Sequence, residues 1–444
     1  MNDPRLGELL EFLRFPSVST QSEHHVDMIA CAEWLKSKFL AFGLDANVLE
    51  TGGHPAVVAK TQRDPAKKTV LIYGHYDVQP PDPLNEWTTP PFDPDIRDGR
   101  IFARGSTDNK GQILAHILGV GEVLNRGEQL PVNVIFLVEG EEEIGSDHLE
   151  SFLEKYQADL ACDVIAISDT GMVSHGYPTL TYALRGIAAL EFRVRGPLQD
   201  LHSGVFGGAI SNPATAVARL IASLHDGEGR VAIGGFYDGI SPMPDWERAA
   251  TAALPVTDED MRKLTGVTEL FGEPGYSAVE RVGARPTAEV NGIGGGYQGE
   301  GTKTVLPKEA FAKLTFRLVP GQTPDDILAK AEAHLRAHCP RGVTLEITKG
   351  HSGEPYYMDP NSPNGLAAQR ALETVFGRKP ALMREGGSIP IVNTFRKVLK
   401  VDTVLLGLAS PDCNAHSPNE NFPTENFFAG IKLNQALLVE LGKK

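Results

Sequence analysis

The chain has 444 residues, 41% hydrophobic and 22% charged, with a formal net charge of -15. The length exceeds what one compact core usually supports, so two domains are expected. The acidic balance argues against nucleic acid or an anionic membrane as partner, since both need a basic face. Four scattered cysteines, Cys31, Cys162, Cys339 and Cys413, form no C-x-x-C pair and indicate neither a disulfide framework nor a thiolate zinc knuckle. No apolar run approaches the roughly 20 residues needed to span a bilayer. The opening residues MNDPRLGELLEFLRFPSV show no basic stretch followed by an apolar one, so a soluble cytoplasmic protein is expected.

In chain order, Asp3-Pro4 reads as an N-cap and first-turn proline opening a helix over LGELLEFLRF. A second helix covers VDMIACAEWLKSKFLAFG, with Gly43 as its C-terminal stop. Continuous apolar runs follow at TVLIYG, VNVIFLV, DVIAIS and, far downstream, TVLLGLA. Such runs mark strands buried on both faces, as in a sheet covered by helices. Helical patterns at GQILAHILGVGEVLNR and SDHLESFLEKYQADL lie between them. From Arg185 the texture changes to alternating strands, IAALEFRVRG and AFAKLTFRLVPG, with helices at NPATAVARLIASLH and TPDDILAKAEAHLRAH. This predicts an α/β fold: a mixed, mostly parallel sheet flanked by helices, interrupted by an inserted α+β unit. The expected domains are 1–184 plus 353–444, discontinuous, and 185–352, inserted.

Chemistry concentrates where the buried runs end. His75 and Asp77 follow the first, Glu142 and Glu143 the second, Asp169 the third, and the loop bearing His416 the fourth. Asp108 sits just before a helix. In open α/β sheets the ligand site lies at the carboxyl ends of the strands, so these groups converge on one edge. Two histidines and several carboxylates suit zinc, manganese or cobalt. Crowding so many carboxylates without a cation would raise their pKa values and destabilise the fold. Residues i and i+2 of a strand share a face, so Asp77 is placed to accept a hydrogen bond from the second nitrogen of His75. Glu139 and Glu141, in the same acidic run, have no assigned chemistry.

The ordered motifs GHYDVQP, GSTDNKG, EGEEEIGS, AISDT, DLHSGVFGG and NAHSPNE resemble the co-catalytic metallopeptidase family. That family includes carnosinase-type dipeptidases, glutamate carboxypeptidase, aminoacylase and succinyl-diaminopimelate desuccinylase. REGGSIP, and KTVLP followed by FRLVPG, are most similar to the carnosinase-type, cytosolic dipeptidase branch. The resemblance implies a zinc-exopeptidase-like catalytic domain and an inserted lid that makes a homodimer. It implies two divalent ions per subunit, Zn2+ first and Mn2+ or Co2+ next, roughly 3.5–4 Å apart. His75, Asp108 and Asp169 would hold one, and Glu143, His416 and the shared Asp108 the other. Glu142 would be the base that deprotonates the bridging water, with Asp77 behind the ligands and a cis Asp108-Asn109 peptide. His202 would reach the partner subunit's site and stabilise the oxyanion, accompanied by Thr304. Arg317 would grip the carboxylate of a small peptide, assisted by Ser388 and the Gly386-Gly387 backbone.

Other readings fit less well. Asn291–Thr304, NGIGGGYQGEGTKT, lacks the G-K-[ST] ending and following helix of a phosphate loop. No G-x-S-x-G elbow supports a serine hydrolase. Within the enzyme class, dipeptide hydrolysis comes first and N-acyl-amino-acid deacylation second, since both leave an α-carboxylate for Arg317. A non-catalytic, metal-stabilised binding protein remains as a different class, but it would need no spare base beside its ligands, and Glu142 is one. Cys413, three residues from His416, is left either inert or oxidation-sensitive.

Overall fold

The computed structural model describes residues 3–387 and 389–443. It divides into two compact units, Met1–Tyr182 with Met358–Met383 and Ile391–Lys444, and Ala183–Tyr357 with Arg384–Pro390.

The first unit is built on a large mixed sheet. Seven of its nine strands lie in the order Asp45–Leu49, Ala56–Lys60, Asn133–Glu139, Thr69–His75, Val164–Gly171, Thr403–Ala409 and Thr179–Leu184. The middle four, from Asn133–Glu139 to Thr403–Ala409, pair in parallel, and the outer pairings are antiparallel. Thr69–His75, Asn133–Glu139 and Thr403–Ala409 are buried at every position, which explains why their sequences do not alternate. The helix Lys110–Asn125 is buried almost all round, from Lys110 to Gly121. It packs on the Thr69–His75 strand and against the long helix Thr424–Gly442. The N-terminal helix Pro4–Leu13 is capped by Asp3, whose carboxylate accepts the Arg5 N–H at 3.0 Å. The second helix, His25–Ala41, ends two residues before Gly43, which takes the left-handed φ of +81° that stops a helix at low cost.

The second unit carries a four-stranded antiparallel sheet in the order Thr287–Gly295, Glu309–Leu318, Gly186–Arg195 and Thr344–Gly353. Burial alternates strictly along Gly186–Arg195. Its inward residues Ala188, Leu190, Phe192 and Val194 share a core with Phe316, Leu220, Ile327 and Leu335. The last three belong to the helices Pro213–Ala222 and Pro324–His338. Each of these helices opens on a side-chain cap followed by proline, Asn212-Pro213 and Thr323-Pro324. The segment weighed as a phosphate loop is partly strand here, since Thr287–Gly295 takes in Asn291 to Gly295.

Candidate active site

Parallel strands end at the same edge of their sheet, and the first unit uses that edge. His75 is the last residue of its strand, paired with Glu139, the last of the neighbouring one. Asp169 lies near the end of Val164–Gly171, and His416 lies in the loop after Thr403–Ala409. Asp108 precedes the helix Lys110–Asn125 across a cis peptide to Asn109.

Two groups of donor atoms result, each with all its atoms within 4.8 Å of one another: His75, Asp108 and Asp169, and Asp108, Glu143 and His416. Asp108 divides between them. Its Oδ1 lies 3.1 Å from His75 Nε2 and its Oδ2 lies 2.9 Å from His416 Nε2. Asp169 Oδ2 is 3.7 Å from His75 Nε2, and Glu143 Oε2 is 3.3 Å from His416 Nε2.

The fit of this arrangement to cations can be tested on its polar atoms. His75 Nε2 and Glu143 Oε1 are buried and make no hydrogen bond. Buried polar atoms are rarely left so, and His75 Nε2 faces the Asp108 and Asp169 carboxylates. His75 Nδ1 lies 3.0 Å from the Asp77 backbone oxygen. That acceptor puts the ring proton on Nδ1 and leaves a lone pair on Nε2, the state a metal ligand needs. Two imidazoles and three carboxylates thus form a donor set suited to a pair of borderline divalent ions.

Charge crowding shows in the acid–base behaviour of the metal-free protein. Burial pushes the Glu142 carboxyl well above its ordinary range, and the Asp169, Asp108 and Glu143 charges add to it against His75. Burial likewise raises Glu143 and Asp169. Asp108 is the exception: burial would raise it, but His416 and His75 hold it low. Hydrogen bonds to Asp108 and then Glu143 raise His416 to about 10.

Asp77 lies against both His75 and the turn that carries Glu142 and Glu143. The closest partner of His75 Nδ1 is the Asp77 backbone oxygen, with the carboxylate also near at 3.4 Å. The carboxylate accepts the backbone N–H groups of Glu142 at 3.3 Å and Glu143 at 3.1 Å as well. It therefore holds the turn Glu142–Ile144, which Gly145 closes at a φ of +98°. Glu139 and Glu141, without assigned chemistry in the sequence, are buried. Glu139 bonds Tyr73 and Ser146, and burial raises it to about 7. Glu141 accepts from His54 N at 3.0 Å and faces His148 Nδ1 at 2.9 Å. Two further residues that sequence reasoning missed touch the groups directly. Gln79 Nε2 donates to Glu143 Oε2 at 2.9 Å, and Asn109 Nδ2 donates to Asp169 Oδ1 at 2.9 Å. Gln79 shares the i, i+2 spacing that singled out Asp77. Cys413 is half-buried, and burial raises its thiol above the ordinary range, which disfavours the reactive thiolate.

The remaining candidates lie in the second unit, except that Ser388 falls outside the described residues. His202 is exposed, in a two-residue strand paired with Val305, and the next amide, Ser203 N–H, bonds Thr304 O at 3.0 Å. His202 Nδ1 accepts the Gly204 N–H at 3.0 Å, so the neutral ring carries its proton on Nε2, free to donate. Arg317 lines a cavity of about 370 Å³ with Arg185, Arg281, Arg285 and Glu289. Arg185, also unforeseen, donates from Nε to Gly386 O at 3.1 Å, and Gly387 follows in an exposed bend.

Residues 71–440 match the model of peptidase family M20/M25/M40. The chain is 33% identical to the Cys-Gly metallodipeptidase dug1 of Schizosaccharomyces pombe, covering 97% of this chain and 94% of that one. It is 33% identical to the Beta-Ala-His dipeptidase of Homo sapiens, over 88% of this chain and 78% of that one. Among solved structures, the metallo-carboxypeptidase Sso-CP2 of Sulfolobus solfataricus superposes with a TM-score of 0.85 at 34% identity, covering 99% of both chains.

Proposed function

Because the chain belongs to peptidase family M20/M25/M40, we propose that it hydrolyses the amide bond of dipeptides bearing a free C-terminal carboxylate, using two divalent ions. The observation that carries this is the shared Asp108 carboxylate, one oxygen toward each donor group, with Glu142 beside both. Relatives with 33% identity over 97% and 99% of the chain are named as Cys-Gly metallodipeptidases, which supports the substrate class.

His75, Asp108 and Asp169 would hold one ion, and Asp108, Glu143 and His416 the other. Zinc suits the donors best, with manganese and cobalt next. When bound, the pair supplies acidification of water and polarisation of the scissile carbonyl. Glu142 takes the proton of the attacking water and passes it to the leaving amine. Asp77 aims Glu142 and Glu143 apart by fixing their backbone N–H groups. The inserted unit serves as lid and dimerisation domain. Arg317 holds the substrate carboxylate, with Thr304 and the Gly387 backbone beside it. His202 donates from Nε2 to the oxyanion in the site of a partner subunit.

The test is a panel of dipeptides and N-acyl amino acids, assayed after chelation and again with zinc, manganese or cobalt. Dipeptide turnover should vanish and return with the ion, and N-acyl amino acids should turn over at least tenfold more slowly. Preference for the acyl substrates would reassign the enzyme as a deacylase. Full activity in verified metal-free protein would remove the two-ion mechanism.

A further inference from the structure

Glu420 is fully buried at the end of the loop that carries His416. Its carboxylate accepts four hydrogen bonds, all from the segment that carries Asp108. Oε2 takes Arg104 Nη1 at 2.8 Å and Gly105 N at 2.9 Å. Oε1 takes Thr107 N at 2.9 Å and Asp108 N at 3.0 Å. Two further bonds join the same segments: Ala103 N–H to Glu420 O at 3.2 Å, and Thr107 Oγ1 to Asn421 O at 2.7 Å.

A salt bridge to Arg104 would explain only one of the four bonds to the carboxylate. The other three go to backbone N–H groups, and the last of these belongs to the residue whose carboxylate is divided between the two donor groups. Only an ionised carboxylate offers two oxygens with about four acceptor positions. Glutamine would satisfy one oxygen's pair and turn its NH2 on the other pair, whichever way it flipped. From this we infer that Glu420 is a positioning residue for the metal centre. It fastens the Gly105–Asp108 backbone to the His416 loop, so that Asp108 and His416 meet at the right separation before any ion arrives. Preorganised donors bind more tightly because less ordering is left to the binding step. The inference rests on the two-ion reading above.

The experiment compares divalent-ion affinity of metal-free wild type and Glu420→Gln, by zinc titration against a competing chromophoric chelator. Circular dichroism verifies that the variant is folded. At least one of the two ions should bind tenfold or more weakly to the variant, a loss that a purely stabilising role would not produce in a folded protein. Wild type that binds no ion would overturn the two-ion reading itself. Wild type that binds two, beside a folded variant of equal affinity, would overturn this inference alone. Should Glu420→Gln fail to fold, hydrogen exchange on metal-free wild type decides the matter. The amides of Gly105, Thr107 and Asp108 should already be protected without metal. Exchange at open-loop rates until metal is added would mean that the ion, not Glu420, sets the loop, and the inference would fall.

Discussion

Glu142 and Glu143 are neighbours with separate surroundings, and separate surroundings are what let two carboxylates take different roles. Glu143 receives Gln79 and faces His416, whereas Glu142 meets the Asp169 charge in addition to those of His75 and Asp108 that both share. Glu142→Ala should therefore bind both ions with near wild-type affinity while kcat falls about 10²–10⁴-fold, the usual worth of a positioned base. Near wild-type kcat in that variant would take the base assignment away. His416 adds a pH dependence. Its folded value of about 10 lies above the ordinary 6.5. In the metal-free protein the stability this gives is complete below about 6.5 and is lost as pH rises through about 10. A ligating imidazole must be neutral, so binding at pH 7 has to expel that proton, and affinity should weaken as pH is lowered. Calorimetric titration in two buffers of different ionisation enthalpy should show at least one proton released per pair of ions. Identical heats would contradict it.

The strand Thr69–His75 and the helix Lys110–Asn125 approach so closely that Gly74 has no room for a side chain. A Cβ there would lie 2.7 Å from Asn109 Oδ1 and 2.8 Å from Ile113. Asn109 is the residue that bonds Asp169, so the strain would pass into the donor groups. Gly74→Ala should lose about 1–3 kcal/mol of unfolding free energy, the usual cost of overpacking, and bind metal more weakly. Urea denaturation of the metal-free protein reads the first effect, and a wild-type midpoint would refute it. What could be read beforehand follows from how locally each element is specified. The four buried runs and the two alternating strands stand out because burial on two faces or one is written in hydrophobic period alone. Thr287–Gly295 does not, because its glycines mimic a loop and only pairing with Glu309–Leu318 makes it a strand. The helix Thr424–Gly442 follows the motif-rich loop with no side-chain N-cap to mark its start. The convergence of His75, Glu143, Asp169 and His416 was legible from their places after buried strands, and Asp108 joined them from its place just before a helix. The bonds from Asp77 to the Glu142 and Glu143 backbone, and the grip of Glu420 on a segment 312 residues away, depend on tertiary contacts that no local pattern encodes.

At the scale of the whole molecule, the proposed role of His202 requires two chains to complete one active site. His202 stands exposed beside Val205, Phe206 and Ile210, whose side chains are also exposed. Apolar groups clustered around a polar one at the surface suit an interface with another chain. A twofold dimer uses the same patch on both subunits, so each chain would lend its His202 to the other. Glu142→Ala and His202→Ala chains should each be nearly inactive as pure dimers. In a mixed dimer one site would combine an intact Glu142 with the partner's intact His202, while the other would lack both. Random exchange of equal amounts makes half of the dimers mixed, so activity should recover to about a quarter of wild type. If His202 serves its own chain, every site in every dimer is broken and nothing recovers. Mass spectrometry of the exchanged sample verifies that mixed dimers have formed, and sedimentation verifies the dimer itself. Mixed dimers present without recovered turnover would assign His202 to its own subunit. A monomer with full activity would remove the shared site altogether.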